Sequence, residues 1–423
     1  MLRWGSRGAP ALTLALGALA CASCTDAGAT AGPTDRGDVP FEGVAFPNRR
    51  VPLEIPGGGL ALVTDALSDG VSAVDVAAAR RVAVRPVGKE PVGIDGPGPI
   101  VVDAAAGAAF VALTYPVTYP GPHADHVPHV EPTVIQKLAL DDLRVIGEVQ
   151  VDFEPSDLGL SEDGRRLVVS HFGAEGLAAA LEDPSRLESL RTRLLIVEPA
   201  AIQPSLSPEP MNVQVCLAAG GLALSRPAGD RAYVACYGED AIAVADLTAP
   251  ELVARIPVAP DPGPPGGPIY GPTAVALSPD QASLAIATSL TRDIRFFDIE
   301  TSTMRLDLTM TLDARPVALA FVGDRDHLLV ATRDPARMIL LDTSTSTQSI
   351  VVDRALGADE CDGPASVVLG SPGSALLVCE GDGTQPGRLV VIDTSTLATL
   401  ATVSVGRGAH DVAWLAGLAG GGQ

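Results

Sequence analysis

Aromatic residues make up only 4% of the chain, and bases are outnumbered by acids, 29 to 51. A core short of large rings has to be built from thin, closely stacked layers of Ala, Val, Leu and Gly. The acid excess, with no basic patch and no aromatic–basic interleaving, argues against a nucleic-acid partner. The surplus carboxylates read as a solvated surface. Beyond the N-terminal region no apolar run approaches the ~18 residues of a membrane-spanning helix. There is no Ser-His-Asp order, Gly-x-Ser-x-Gly elbow or phosphate-binding glycine loop. "GEDAIAVAD" and "GPGP" read as turn signals. No Cys-x-x-Cys-His occurs, which argues against covalent c-type haem.

What is present begins with an export signal. In "MLRWGSRGAPALTLALGALACASC", Arg3 and Arg7 precede an apolar run from Ala9 to Ala20 that is too short to span a bilayer. Residues 1–20 are expected to be a signal peptide of lipoprotein type, with Cys21 as the lipidated residue. "ALA-C" departs from the usual box in having Ala18 where leucine is expected, and Cys24 is a second candidate. Residues 21–56, rich in Gly, Pro, Thr and Asp, read as a flexible tether, and residues 418–423 as a disordered tail. The expected location is the bacterial cell envelope, periplasmic or cell-surface, with membrane contact only through a lipid anchor.

From about Leu60 the chain becomes short apolar runs between turn residues, an all-β pattern. Similar first strands recur as "DLGLS" (157–161), "GLALS" (221–225), "AVALS" (274–278), "ALAFV" (318–322), "SVVLG" (366–370) and "DVAWL" (411–415). From Val275 to Leu319, Val367 and Val412 the steps are 44, 48 and 45 residues, the spacing of four-stranded propeller blades. Third strands end on an acid at Asp75, Asp141, Glu198, Asp246, Asp298, Asp342 and Asp393, which makes seven units. Recurrence in every unit marks these acids as turn caps rather than catalytic groups.

The first unit supplies "LALVTD", "GVSAVD" and "RRVAVRPV" but no innermost strand, whereas "AHDVAWL" (409–415) is a first strand with no unit behind it. The sequence therefore predicts a seven-bladed β-propeller of four-stranded antiparallel blades over residues 57–417. The C-terminal strand is donated to the first blade, which removes the free edges of an open ring.

The stretch "LSRPAGDRAYVACYGEDAIAVADLTAPELVARIPVA" (224–259) resembles a repeat of the YVTN family of seven-bladed β-propellers. The turns "SEDG" and "SPDQ", and the elements "YVAC" (Tyr233–Cys236) and "LVTD" (Leu62–Asp65), carry the likeness. The resemblance covers about residues 57–417. It implies the same fold but not one function, since the family includes envelope binding proteins and lies near lactonase-type and dehydrogenase-type propellers.

Four cysteines follow the signal region. Cys216 and Cys236 are 20 residues apart, Cys361 and Cys379 18. Each pair flanks an innermost strand and the end of its antiparallel neighbour, so in an oxidising compartment two disulfides, Cys216–Cys236 and Cys361–Cys379, are expected. The spacing does not suit a zinc site.

Connections between second and third strands, and from one blade to the next, share what we term the upper face. They are long at 116–132, 172–191 (expected to be partly helical) and 260–272; one lower connection, 198–210, is also long. His123, His126 and His129, with Asp125 and Glu131, lie in the first of these loops and are a candidate divalent-metal set. His171 ends a second strand at the upper edge, and His410 and Asp411 begin the clasp strand at the mouth of the central channel; these are candidate ligand-binding residues.

The expectation is a non-enzymatic binding or scaffold protein that takes a protein, glycan or small ligand on its upper face and requires no cofactor. The alternative is a propeller enzyme, a lactonase-like hydrolase or a metal-dependent oxidoreductase, using the upper-face histidines.

Overall fold

Middle strands such as Leu60–Asp65, Gly70–Asp75 and Ser374–Cys379 are buried along their whole length, whereas outermost strands such as Ser349–Ala355 are largely exposed. That contrast belongs to sheets stacked face to face with only their outer edges in water. The computed structural model describes residues 52–88, 96–114, 133–204, 208–323, 326–344 and 348–417. These form seven antiparallel blades of four strands, with the outermost strand of blade 5 split into Thr303–Met304 and Met310–Thr311. Innermost strands are Pro97–Asp103, Pro155–Leu160, Ala219–Leu224, Pro272–Leu277, Arg315–Phe321 and Pro364–Leu369 for blades 2 to 7.

Blade 1 takes its innermost strand, Ala409–Leu415, from the other end of the chain. It pairs Leu60 with Leu415, Ala61 with Trp414 and Val63 with Val412. The Trp414 ring fills the space where a side chain on Gly59 would stand, and Gly59 has a left-handed φ of 91° that suits glycine.

The described apolar core divides into seven clusters, one for each pair of neighbouring blades. Alternation along each strand produces this division. Leu60 and Leu62 pack toward blade 2, while Ala61 and Val63 pack toward blade 7 with Leu376 and Val378. Small residues at Ala73, Ala109, Ala243, Ala285 and Ala331 let the blades approach closely, as the scarcity of aromatics requires.

Several of the recurrent acids act as turn caps. Asp75 accepts the N–H of Ala78 at 3.0 Å, Asp298 that of Thr301 at 2.8 Å and Asp342 that of Ser344 at 2.8 Å. The Ser395 hydroxyl and the Thr396 N–H hold Asp393 down at about 2.

One expectation needs correcting. "GPGP" is not simply a turn: Pro97–Asp103 is the innermost strand of blade 2. The ladder is interrupted between Pro97 and Ile100, so Pro99 owes it no N–H, and proline is tolerated at such bulges. The signal peptide, Cys21, the tether up to residue 51 and the tail lie outside the described residues. Among the described residues no helix is long and apolar enough to cross a membrane.

Candidate functional site

Every innermost strand carries a register shift near its upper end. At two of these bulges an N–H meets a carboxylate of the preceding blade. Leu222 N–H donates to Asp157 at 2.7 Å, and Ile100 N–H donates to Asp411 at 3.0 Å. The other oxygen of Asp411 accepts from the Ser366 hydroxyl at 2.6 Å and the Val412 N–H at 2.8 Å, so this side chain ties blades 7, 1 and 2 together. Burial, reinforced by the negative charge of Asp411, raises Asp157 to about 7 against its two N–H donors. His410, beside Asp411, is exposed at the mouth and overhangs Gly98 of blade 2.

Asp65 makes the equivalent link at ring closure. Fully buried, it accepts from the Ser72 hydroxyl at 2.6 Å and from the Gly406 N–H, in the connection from blade 7, at 2.8 Å. Burial raises it to about 7, with the two hydrogen bonds and Arg81 opposing.

His171 differs from His410. Its Nδ1 lies 2.9 Å from the Arg193 carbonyl, while its Nε2 is buried without a hydrogen-bond partner. Burial pushes the imidazole below its ordinary value, opposed by the Arg193 carbonyl bond and the charge of Asp152. Burial favours the neutral ring, and with Nδ1–H donating to that carbonyl the lone pair of the neutral imidazole is left on Nε2. His123, Asp125, His126, His129 and Glu131 lie outside the described residues. Among the described residues no group of three His, Cys, Asp or Glu side chains is arranged to hold a metal.

The upper connections over blades 3 to 5 are closely tied together. The predicted partial helix is Glu175–Glu182, followed by short turns Pro184–Arg186 and Leu187–Leu190. The disulfide Cys216–Cys236, with Cα atoms 5.8 Å apart, pins the entry to blade 4. Just beyond it, Asp240 accepts four backbone N–H groups from the next long loop: Gly263, Ile269, Tyr270 and Gly271, at 2.7–3.0 Å. That loop bonds to the Tyr237–Glu239 turn from Gly266 N–H to the Gly238 carbonyl at 2.9 Å, and Gly266 lies so close to the helix that a side chain there would meet Leu177 and Leu181. Gly271, at φ 59°, leaves room for Tyr237 and Leu290, either of which a side chain there would meet at 2.8 Å. Tyr237 in turn packs on Phe172 with ring centroids 5.6 Å apart. The Arg295 guanidinium sits 4.3 Å over the Tyr270 ring, itself bonded to Asp261 at 2.7 Å.

Apolar side chains also reach water on this structured upper surface. Among the described residues the exposed large hydrophobics fall into two sets. Val145, Met211, Val253, Leu306, Ile350, Val351 and Leu400 lie along outermost strands or, for Leu306, between the two pieces of one. Phe153, Leu181, Ile269 and Leu290, each about half exposed, lie in upper connections of blades 3 to 5. None lies in a described lower connection. Sequence reasoning found the long loops but not these four residues, which belong to no repeat signal, nor the roles of Asp65, Asp157 and Asp240, whose partners lie in other blades or connections.

No protein-family model and no curated protein matches the chain. Solved structures do. The periplasmic gluconolactonase of Pseudomonas aeruginosa is 18% identical, with a TM-score of 0.57 over 85% of this chain and 99% of that one. Hydrazine synthase of Kuenenia stuttgartiensis is 17% identical, with a TM-score of 0.57 over 78% and 93%. The β-propeller domain of Cps50 from Myceliophteria thermophila is 10% identical, with a TM-score of 0.54 over 76% and 90%. At such identities the likeness is one of fold, and what these proteins share with this chain is the β-propeller.

Proposed function

We propose that the chain is an exported binding or scaffold protein of YVTN type, lipid-anchored at Cys21, that receives its ligand on the upper face. The observation that carries the reading is the distribution of exposed apolar side chains. Outside the outermost strands they occur only on the upper connections of blades 3 to 5 among the described residues, on loops that the fold holds in place. Exposed apolar surface on rigid loops is characteristic of interaction sites. Two disulfides fit an oxidising, exported location.

The test is to attach polyethylene glycol at Ser185→Cys on the upper face or Ala249→Cys on the lower face. Retention of an envelope ligand by the immobilised mature chain should fall only for the upper attachment; equal retention by both overturns the reading. Turnover of gluconolactone by the purified chain would replace it with the hydrolase. The anchor is tested separately: palmitate labelling should be lost in Cys21→Ser and kept in Cys24→Ser.

A further inference from the structure

The charge exposed around the apolar patch over blades 3 to 5 is mainly negative. Glu175, Glu182, Asp183, Glu188 and Asp261 are exposed around it. Of the nearby bases, Arg186 is exposed and acts on Asp183, and the others are largely engaged. Arg193 is paired with Asp152 at 2.7 Å, Arg191 with Glu239 at 2.8 Å and with Glu188, and Arg292 donates to the Asp313 carbonyl. We propose that this surface docks a cationic amphipathic polypeptide segment. Its apolar side chains would lie against Phe153, Leu181, Ile269 and Leu290, and its Lys or Arg groups against the surrounding carboxylates. The proposal rests on the reading that the upper face binds, and names the chemistry of the partner.

Three physical arguments favour a polypeptide. The four apolar residues stand on four separate connections spread over three blades, a broad surface rather than a cleft for one small molecule. The surrounding carboxylates repel anionic lipid headgroups, nucleic acid, and a second copy of a chain with formal charge −22. The surface is also organised before binding. Asp240 fixes the 263–271 loop through four N–H groups, and the disulfide and the Phe172–Tyr237 contact brace its base, so little ordering is needed on docking.

The test uses the mature full-length chain and three synthetic peptides of equal length, built from Lys and Leu, Lys and Ser, or Glu and Leu, with binding read by fluorescence anisotropy. The Lys/Leu peptide should bind at least tenfold more tightly than either other peptide, and more weakly as salt is raised. Leu181→Ser and Ile269→Ser should each weaken it by about tenfold, the effect of losing one buried aliphatic contact. Glu182→Lys with Asp183→Lys should weaken it and flatten the salt dependence. The control Ile350→Ser with Val351→Ser, on the outermost strand of blade 6, should change nothing.

Equal binding of the Glu/Leu peptide, equal loss in the control, or stronger binding to anionic lipid vesicles than to the Lys/Leu peptide overturns the proposal. If polyethylene glycol on Ser185→Cys still blocks an envelope ligand while the Lys/Leu peptide fails to bind, the partner class is wrong and the upper-face reading stands. If neither effect is seen, both fall.

Discussion

The upper connections of blades 3 to 5 and those of blades 6 and 7 rise from the same scaffold and are pinned by the same device. Cys216–Cys236 ties the entry of blade 4, and Cys361–Cys379, with Cα atoms 5.2 Å apart, ties the entry of blade 7. Their surfaces differ. Over blades 6 and 7 the described connections expose Asp334, Asp359, Asp362 and Asp382 and no large hydrophobic residue. There Arg315 is paired with Asp334 at 2.9 Å and Arg333 with Glu380 at 2.6 Å. Over blades 3 to 5 the carboxylates surround apolar side chains. The scaffold decides where a connection stands and the connection alone decides what it offers, so among the described residues one ring presents a sector without exposed large hydrophobic side chains beside an amphipathic one.

The comparison presupposes a closed ring, and the largest effect comes from opening it. Deleting residues 409–423 should expose the edge of Leu60–Asp65 and the faces of blades 2 and 7 that pack on the clasp, and abolish the cooperative melting transition, whereas deleting 418–423 should leave it in place. Thermal melting with gel filtration checks both; an unchanged transition in the longer deletion would refute the clasp.

Next comes the buried carboxyl at closure. The native state keeps Asp65 protonated up to about pH 7, while in the unfolded chain it ionises near 3.8. Between those values the native state binds more protons, so this contribution is complete below pH 4 and is lost as pH rises through 7. The shift corresponds to on the order of 4 kcal/mol. Asp65→Asn, which can still accept from Gly406 N–H and donate to Ser72, should flatten this part of the stability profile. Asp157→Asn should not be benign, because both Asp157 oxygens accept N–H groups, from Leu158 and Leu222. Denaturant midpoints at pH 5 and pH 8 distinguish the two; equal behaviour would show that the hydrogen-bond pattern does not matter.

The disulfides sharpen the contrast between sectors. Replacing either pair with alanines should cost ~3 kcal/mol by denaturant melting. Only loss of Cys216–Cys236 should also weaken the Lys/Leu peptide. Equal weakening on loss of Cys361–Cys379 would mean that the sectors do not act separately.

The smallest effect is local. Asp240→Asn puts an amide N–H₂ where two of the four loop N–H groups now donate, at a cost of about 2 kcal/mol. The amides of Gly263, Ile269, Tyr270 and Gly271 should exchange faster with solvent, while those of blade 7 keep their rates. Unchanged exchange would remove Asp240 as the organiser of the loop.

Most of the ring was legible in the sequence because its signals repeat. A strand period, an acid closing each third strand and an unfinished "AHDVAWL" do not require knowledge of side-chain contacts. The disulfides were legible because antiparallel neighbours place both cysteines at one end of a hairpin. The innermost strand of blade 2 was obscured by Pro97 and Pro99, which mimic a turn but stand at a bulge. The site was far less legible. Phe153, Leu181, Ile269 and Leu290 each occur once, in connections without a period. Asp65 sits in a repeat element, "LVTD", whose pattern gives no sign that its carboxyl is buried against Gly406. Asp240 organises a loop some thirty residues away in sequence, a relation only the folded chain reveals.

The clasp also acts as a length gauge. Asp65 waits for Gly406 across 341 residues, and Ile100 for Asp411 across 311. A chain delivered from its N-terminus presents the first blade early but can close the ring only after residue 409 has arrived. Contacts so distant in sequence form late and slowly. Until then the edge of Leu60–Asp65 lies open to pairing with any other strand. A product cut short before residue 409 keeps that edge permanently exposed, which distinguishes it from a finished chain by a surface that proteases and chaperones can engage.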